Sequence, residues 1–537
     1  MNIPGHTESP APSCGKGGRG KGRRGKGRRG EGPWAWLSAA AVALSLLMLG
    51  ALLVLLASRG LGHFWPASLE QVTLDDGQEV IGVAVETRAG ENQAANETRF
   101  LTANRDFGGG VWTWVASSDI VATATPGELV ALERRRWGSF FGRLVAVRGD
   151  GRRHVGDDAW QTLTTKLAEI DRLRERRDEI SQMRILPLVR QMESSADAAA
   201  NHAAQHTALA QAQAEVRRLQ AAMTGTTLIL ESAQGRRIEQ PLDEVLRAWR
   251  PNAMAWYAKL GHWGSGVWHF LSEGPRDANT AGGVWPAIFG TILMVMLMSL
   301  LVTPFGVLAA VYLNEVAHQG RLTHLVRIAV RNLAGVPSIV YGVFGLGVFV
   351  YGIGGSIDRL FYADTLPSPT FGTGGLLWAS LTLALLTLPV VIVATEEGLA
   401  RIPAHQREGA LALGATRFET LTRVVLPMAT PAMLTGVILA VARAAGEVAP
   451  LMLVGVAKLA PQVPLDGEFP YLHVERKFMH LGYHIYDAAF HASDVQAALP
   501  LVYATALLLV LVILVLNLTA IFLRHHLRTR HGAYARP

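Results

Sequence analysis

Residues 407–427 read REGALALGATRFETLTRVVLP and lie between two long apolar segments. The pattern predicts an amphipathic, arginine-bearing helix that contains Gly414 and is closed by Pro427. A polar helix and a turn between two hydrophobic runs are typical of a membrane surface, where they can bind a soluble partner. The alternative is a surface helix that only links two spans. The segment predicts a polytopic membrane protein with a candidate docking loop at residues 396–428.

The composition also indicates a membrane protein. Of the 537 residues, 50% are hydrophobic and 17% are charged, and the mean hydropathy is +0.23. The net charge of +7 comes partly from a basic tail at residues 1–33, which we expect to be disordered and cytoplasmic. Because this tail adjoins a hydrophobic run, attraction to anionic membrane lipids is favoured over binding of nucleic acid. The single cysteine, Cys14, excludes an internal disulfide.

A short part of the tail imitates a phosphate-binding loop. Residues 15–21 supply the glycines and the lysine, but the next residue is Gly22, where serine or threonine is needed to bind Mg²⁺. No predicted strand precedes it. We therefore expect no catalytic residue, no metal site and no cofactor in this chain, and we expect any ATP and Mg²⁺ to be bound by another polypeptide.

Six hydrophobic runs are long enough to cross a bilayer. The first occupies residues 34–58, and the other five occupy residues 285–312, 333–353, 376–394, 431–456 and 499–523. Six spans place both termini on one side of the membrane.

The short loops on that side are rich in arginine. By the positive-inside rule, this predicts that both termini, including the tail at residues 525–537, are cytoplasmic. The arginines follow spans two, four and six: Arg321, Arg327 and Arg331, then Arg401, Arg407, Arg417 and Arg423, then Arg524, Arg528 and Arg530.

A long segment, residues 63–279, separates spans one and two and is predicted to be periplasmic; it is called the insert below. Its alternating residues and turn signals predict strands that begin near residues 72, 111, 144 and 228. Between them, apolar residues recur at helical spacing, and Pro187 and the alanines at 198–204 leave room for a break. A hairpin that packs on itself is favoured over a coiled coil that binds a partner. The apolar residues are Leu163, Leu167, Ile170, Leu173 and Ile180, then Leu209, Val216, Leu219 and Met223.

The predicted fold class is therefore an all-α polytopic membrane protein with six transmembrane helices and an inserted α+β extracytoplasmic domain. The five later helices and the docking loop form a membrane core at residues 285–524.

Two charged residues lie within the fifth hydrophobic run. Arg443 and Glu447 are four residues apart, which places them on one face if the helix is continuous. Each charge at a helix centre costs ~2.5–3.5 kcal/mol on the insertion scale, so this face is expected to point into protein or water. A substrate pathway is favoured over a structural ion pair. The planar fork of Arg443 suits an oxyanion such as phosphate, and Glu447 can hold that fork when the site is empty.

Two further groups are ranked below this pair. Ser338 and Tyr341 lie beside Pro337 in span three, where they either line a cavity or pack between helices. Before span six, His480 and His484 have a spacing that can bind a metal, with Asp487 and His491 nearby. A polar face on an interfacial helix is favoured there over a metal site.

Several segments resemble the A-type (PstA) permease subunits of phosphate-specific ABC importers. The resemblance covers about residues 268–530, and in the docking loop it consists of Glu408, Ala410 and Gly414, followed by the leucine and proline at 426–427. The other segments are GGVWPAIFGT at 282–291, GVPSIVYG at 335–342, ARAAGEVAPL at 442–451 and HIYD at 484–487.

This resemblance implies an inner-membrane heterodimer with a C-type permease, two copies of an ABC ATPase that bind ATP and Mg²⁺, and a periplasmic phosphate-binding protein. It implies that Arg443 and Glu447 act in phosphate passage. It also implies that the loop couples to the ATPase, as a set that comprises Glu408, Gly409, Ala410, Gly414 and Pro427. Gly409 departs from the family pattern, which has alanine there, and the long insert departs from the compact family form.

Two alternatives remain open. One is an ABC permease for another oxyanion, such as molybdate or sulfate. The other is a membrane-anchored sensor whose outer coiled-coil domain reports to a cytoplasmic partner. The role of the insert is also open.

Overall fold

The computed structural model describes residues 33–532 except for short gaps, and the chain divides into two compact units, residues 1–55 and 56–537. The predicted basic tail and the last five residues lie outside the described residues. The gaps are residues 90–95, 108–110, 150, 195–198, 277–278, 280, 461–462, 468, 470 and 493.

The described residues contain six helices that are long and apolar enough to cross a membrane, which confirms the predicted number of spans. The first span lies in helix α1, Pro33–Gly62. The six spans are Trp36–Gly62, Trp285–Val316, Ser338–Phe361, Leu376–Ala400, Arg417–Ala445 and Val495–His526.

The insert begins with two antiparallel sheets. The predicted strand starts fall on or next to β1, β4, β7 and β9. The first sheet, in the order β4-β3-β2-β1-β5, contains β1 Glu70–Leu74, β2 Glu79–Ala89, β3 Asn96–Leu101, β4 Trp112–Ala116 and β5 Ile120–Ala124. The second sheet has the order β10-β9-β7-β6-β11, with β8 paired to β7; it contains β6 Leu129–Arg134, β7 Ser139–Gly149, β8 Arg152–Val155, β9 Thr227–Glu231, β10 Arg237–Pro241 and β11 Val245–Trp249.

Three helices separate β8 from β9: α2 Gly156–Ile180, α3 Leu186–Ser194 and α4 Ala199–Met223. The apolar face of α2 does not pack only on another helix, as a hairpin that packs on itself requires. Leu163 and Leu167 instead share a buried cluster with Phe140 and Leu228 of the second sheet. The sheet therefore supplies the apolar partner that the sequence pattern leaves unspecified. Pro187 lies at the start of α3, and the predicted break in the alanine-rich stretch lies partly outside the described residues.

The remaining elements run from the insert through the membrane core. Between α5 and α6 the chain forms a short strand pair, β12 Pro275–Arg276 and β13 Ala281–Gly282. The helices are α5 Trp256–Ser272, α6 Trp285–Val311, α7 Arg321–Leu333, α8 Ser338–Phe344, α9 Gly355–Phe361, α10 Leu376–Ala400, α11 Ala404–Ala412, α12 Arg417–Thr420, α13 Leu426–Ala445, α14 Ala449–Val454, α15 Leu481–Phe490 and α16 Val495–Gly532.

The core of the bundle lies around α10. Met298 of α6, Leu383 of α10 and Ala440 of α13 belong to one buried cluster. A side-chain carbon at Gly398 would collide with Ala432, so glycine lets α10 and α13 approach closely. Such small residues are typical of interfaces between membrane helices. The fourth span is thus held between its neighbours, next to the loop that follows it.

Two predicted spans have different bounds in the structure. The span predicted at 333–353 begins at Ser338 because Leu333 ends a separate helix, α7, and Pro337 precedes the new one. The span predicted at 431–456 is the continuous helix Arg417–Ala445, which ends before Gly446.

The insert is attached to the membrane core by polar contacts. Arg276, just before span two, pairs with Glu133 of β6 at 2.8 Å. The indole of Trp112 in β4 donates a hydrogen bond to Asp494, just before span six, at 3.0 Å. These contacts join both sheets to residues that immediately precede membrane spans.

The packing of α2 on the sheet predicts the effect of Leu163→Ala. We expect this change to lower the free energy of unfolding of the insert by about 2–5 kcal/mol, because it leaves a cavity in the core. Hydrogen exchange of the full chain in detergent, followed at the amides of β7 and β9, measures the loss. Thr164→Ala, at an exposed position of the same helix, is the control. Equal protection in Leu163→Ala and the wild type would contradict this packing.

Candidate substrate pathway and coupling surface

The Arg443–Glu447 pair lies where span five ends, not midway along a continuous helix. Arg443 belongs to the last turn of α13, and Gly446 caps that helix. Glu447 lies in the connection that precedes α14. Pro450 contributes to the break, because it has no backbone N–H to donate to the carbonyl of Gly446, four residues earlier, and its ring would clash with that carbonyl in a continuous helix.

The pair is close but not tightly bonded. The distance from Nε of Arg443 to Oε1 of Glu447 is 3.6 Å, and the two side chains are 34% and 20% exposed. This distance exceeds that of an ordinary hydrogen bond, so the guanidinium is not held bidentately by Glu447. A cation at a helix C-terminus is also favoured by the helix dipole. The arginine fork therefore retains the capacity to bind an anion.

The break in span five is packed against span three. Gly342 of α8 lies against the backbone of Pro450, where a side-chain carbon would collide with it. The neighbouring Tyr341 is buried, and its hydroxyl donates to the carbonyl of Leu333 at 2.8 Å. Tyr341 thus ties span three to the end of α7, an arrangement that favours the packing interpretation. Ser338 is half-buried at the first position of α8.

The predicted docking helix ends before Gly414, which the sequence pattern places inside it. Helix α11 ends at Ala412, and Gly414 adopts a positive φ of 88°. The N–H of Gly414 donates to Leu411 and that of Ala415 donates to Ala410, which together form a Schellman motif. Thr416 and Glu419 then form a capping box at the start of α12. Gly414 therefore ends the helix and reverses the chain.

This turn exposes apolar side chains. Leu413 is 91% exposed, and Leu411 and Phe418 are also exposed. Glu408 and Gly409 are exposed on α11, and Ala410 is half-buried. Together these residues form what we call the coupling surface. Pro427 is exposed at the second position of α13, further along the chain.

Arg407 attaches the coupling surface to the bundle, and Arg327 joins two helices nearby in the bundle. Arg407 pairs with Glu315 at the end of span two at 2.8 Å and donates to the carbonyl of Leu399 at 2.9 Å. Arg327 of α7 pairs with Glu396 of α10 at 3.0 Å. The interpretation of the sequence used Arg327 only for membrane orientation and assigned no role to Glu315 or Glu396. The available signal was the presence of opposite charges at neighbouring span ends.

The histidines before span six are buried, so the interpretation as a polar interfacial face is wrong. His480 accepts a hydrogen bond from the N–H of Gly482 and caps α15. Neither ring nitrogen of His484 has a partner among the described residues. Desolvation by burial lowers the pKa of each ring from 6.5 to about 4. Asp487 instead pairs with Lys458 at 3.0 Å. Within the described ranges, no group of three His, Cys, Asp or Glu side chains is arranged to hold a metal.

Comparisons of the sequence with known proteins assign the chain to a family. Residues 302–531 match the family described as binding-protein-dependent transport system inner membrane component. The chain is 31% identical over 251 residues to the phosphate transport system permease protein PstA of Pasteurella multocida, a match that covers 47% of this chain and 79% of that protein. The chain belongs to the PstA family of transport-system permeases.

Other similar proteins are matched over less of their length. The chain is 35% identical over 199 residues to the probable ABC transporter permease protein YqgH of Bacillus subtilis, which covers 36% of this chain and 60% of that protein. The chain thus spans about three fifths of that relative. Among solved structures, the inward-facing MetNI methionine ABC transporter aligns over 49% of this chain and 97% of that chain, with 17% identity and a TM-score of 0.32.

The family match includes both candidate sites. Arg443, Glu447 and the coupling surface all lie within residues 302–531. The six spans and the family together make this chain a multi-pass inner-membrane protein.

The buried histidines predict a pH dependence of stability. The unfolded chain binds protons on these rings near pH 6.5, and the folded chain does so only near pH 4. The unfolded state therefore binds more protons between these values, and the free energy of unfolding is expected to fall as pH falls through this window. Between pH 6.5 and pH 4, each ring is expected to lower the free energy of unfolding by roughly 3 kcal/mol. The full stability is therefore present only above about pH 6.5.

Thermal unfolding of the full chain in detergent at several pH values measures this effect. His484→Phe removes one titrating ring and is expected to reduce the fall of the unfolding midpoint on acidification. His405→Phe, at an exposed position of α11, is the matched control. An unchanged pH dependence in His484→Phe would contradict the assignment.

Proposed function

We propose that this chain forms half of the transmembrane pore of an ATP-driven phosphate importer. The observation that carries the proposal is the partly exposed Arg443–Glu447 pair, at a break in span five within the segment that matches the family. Non-helical backbone at membrane depth is tolerated where it is buried in protein or lines a cavity. The name of the relative in Pasteurella multocida, phosphate transport system permease protein, favours phosphate as the substrate.

Arg443 is the proposed anion-binding residue. Its planar fork matches two oxygens of a phosphate, and the long contact with Glu447 leaves donors for them. Glu447 competes for the same fork and repels a dianion. This competition favours release of the substrate, since the carboxylate can replace the departing anion. Ser338 and Tyr341 remain pathway candidates of lower rank.

The coupling surface is the proposed binding site for a cytoplasmic ATPase. Glu408 and Gly409 are exposed on α11 with Ala410 half-buried beside them, Gly414 forms the turn, and Pro427 lies near the start of α13 within span five. Arg407 links α11 to the end of span two, so a push on α11 moves that span as well. The chain itself is proposed to hydrolyse no ATP, which would bind with Mg²⁺ to the ATPase.

The proposed assembly contains a C-type permease, two copies of the ATPase and a periplasmic phosphate-binding protein. Both termini are proposed to lie in the cytoplasm and the insert in the periplasm. The arginines of α7 and of the coupling segment support this orientation, because they lie on one side of the six spans.

The pathway role predicts a specific loss in Arg443→Ala. We expect ATP-dependent phosphate uptake by the reconstituted complex to fall at least about tenfold, because a charge-assisted hydrogen bond contributes about 1.5–3 kcal/mol. Arg443→Lys keeps the charge but not the fork and is expected to be intermediate. Arg359→Ala, which removes an exposed arginine of α9 outside the docking loop, is the control.

Co-purification of the other subunits shows whether each variant still assembles. Normal uptake by Arg443→Ala would refute the pathway role. The substrate is tested by measuring how well molybdate and sulfate compete with labelled phosphate for uptake. If either anion competes as well as unlabelled phosphate, the proposed substrate is another oxyanion.

The Schellman turn predicts a second effect. In Gly414→Ala, the positive φ costs about 1–2 kcal/mol, so the turn rearranges and the ATPase is expected to co-purify several-fold less well. Gly409→Ala is the matched control, since Gly409 has helical geometry and open space around it. The readouts are the amount of ATPase bound and the phosphate taken up per ATP hydrolysed. Unchanged values for Gly414→Ala would count against the docking role.

A further inference from the structure

Helix α5, Trp256–Ser272, has an exposed face that carries no charged side chain. Trp256, Tyr257 and Trp268 are 74%, 68% and 67% exposed, and Leu260 is also exposed. The other exposed residues of this face are Gly261, Gly264 and Ser265. The spacing of three and four residues places Tyr257, Leu260, Gly264 and Trp268 along one stripe. The helix contains no aspartate or glutamate.

The middle and the last turn of α5 are fixed beside the end of span one. The indole of Trp263 donates a hydrogen bond to the carbonyl of Leu61 at 2.9 Å, and Leu61 lies in the last turn of α1. Phe64, just beyond that span, packs on Phe270 with a ring separation of 5.2 Å. These contacts hold α5 at the level where span one leaves the bilayer.

The last turn of α5 is also fixed beside the start of span two. The N–H of Val284 donates to the carbonyl of Phe270 at 2.8 Å, and the N–H of Trp285 donates to that of Glu273 at 3.0 Å. Trp285 is the first residue of α6. The end of span one and the start of span two lie on the same side of a membrane, so both attachments specify one depth.

The opposite face of α5 packs on the insert. The ring of His262 lies 4.8 Å from the ring of Trp249 in β11. At 3.6 residues per turn, His262 and Tyr257 lie on opposite sides of α5. The aromatic stripe therefore points away from the sheet. Tryptophan and tyrosine are enriched at membrane–water interfaces, where an apolar ring and a polar N–H or O–H are both satisfied.

We propose that α5 is an interfacial helix whose aromatic face lies in the lipid headgroup region on the side of the insert. Its partner is the bilayer itself. The attachments to spans one and two fix its depth, and its exposed face is uncharged and aromatic. The helix thereby sets the height of the insert above the membrane.

Depth-dependent fluorescence quenching tests this proposal. Cys14, the single cysteine of the chain, is replaced by serine. Tyr257→Cys and Trp268→Cys are then labelled separately with an environment-sensitive dye, in the full chain in lipid nanodiscs. Lipids brominated near the glycerol should quench both labels about twofold more than lipids brominated at the chain end, because such a helix lies about 5–10 Å into the boundary.

Two control positions calibrate the measurement. Ser118→Cys, exposed in the insert, should be quenched by aqueous iodide and not by brominated lipid. Leu300→Cys, exposed on span two, should respond best to bromine deep in the chains. The proposal is overturned if both α5 labels respond like Ser118→Cys. It is also overturned if they respond to neither quencher, since that result means that protein covers the face.

Discussion

A guanidinium placed beside an interrupted membrane helix is the constraint on which the rest of this structure depends. A charge within a membrane span is costly, and backbone groups freed by a helix break add to that cost unless protein or water satisfies them. In span five, Gly446 and Pro450 interrupt the helix beside Arg443. The nearest opposite charge is Glu447, with 3.6 Å between Nε of Arg443 and Oε1 of Glu447. Span three packs directly against this break, because Gly342 has no side chain to separate it from the backbone of Pro450.

The coupling surface and the candidate anion site are joined by one long helix. Span five is one helical segment from Arg417 to Ala445, with a π-helical stretch at Leu421–Val425 between α12 and α13, so Arg443 lies roughly 39 Å along it from Arg417 at about 1.5 Å per residue. A displacement at the start of span five can therefore reach Arg443 through a single helical segment. Arg407 connects α11 to span two through Glu315 and to span four through the carbonyl of Leu399. The proposed mechanism needs these connections, because alternating access requires several spans to move together.

The sequence predicted the features that depend on local composition. Hydrophobic runs gave the six spans, and alternation with turn residues gave the strands near Val72 and Leu228. It did not predict where spans three and five begin and end, because apolar residues continue on both sides of Pro337 and of Gly446. It also placed Gly414 inside a helix, since a glycine in a helical pattern does not reveal a positive φ.

Features that depend on contacts between distant residues could not be predicted from local sequence patterns. Arg407 and Glu315 are 92 residues apart, and no spacing rule connects them. The burial of His484 depends on packing by neighbouring helices, so a helical spacing of histidines predicted a polar face that the fold does not present. The candidate residues themselves were predicted, because a charge in an apolar run is visible without any knowledge of the fold.

The central claim, that the Arg443 face borders a water-filled route for an anion, is tested most directly by accessibility along α13. Single cysteines on that face in a Cys14→Ser background, treated with a membrane-impermeant thiol reagent in the assembled complex, report contact with water. We predict labelling near Arg443 that depends on the nucleotide state and is reduced by phosphate. A face that remains unlabelled in every nucleotide state would contradict the account.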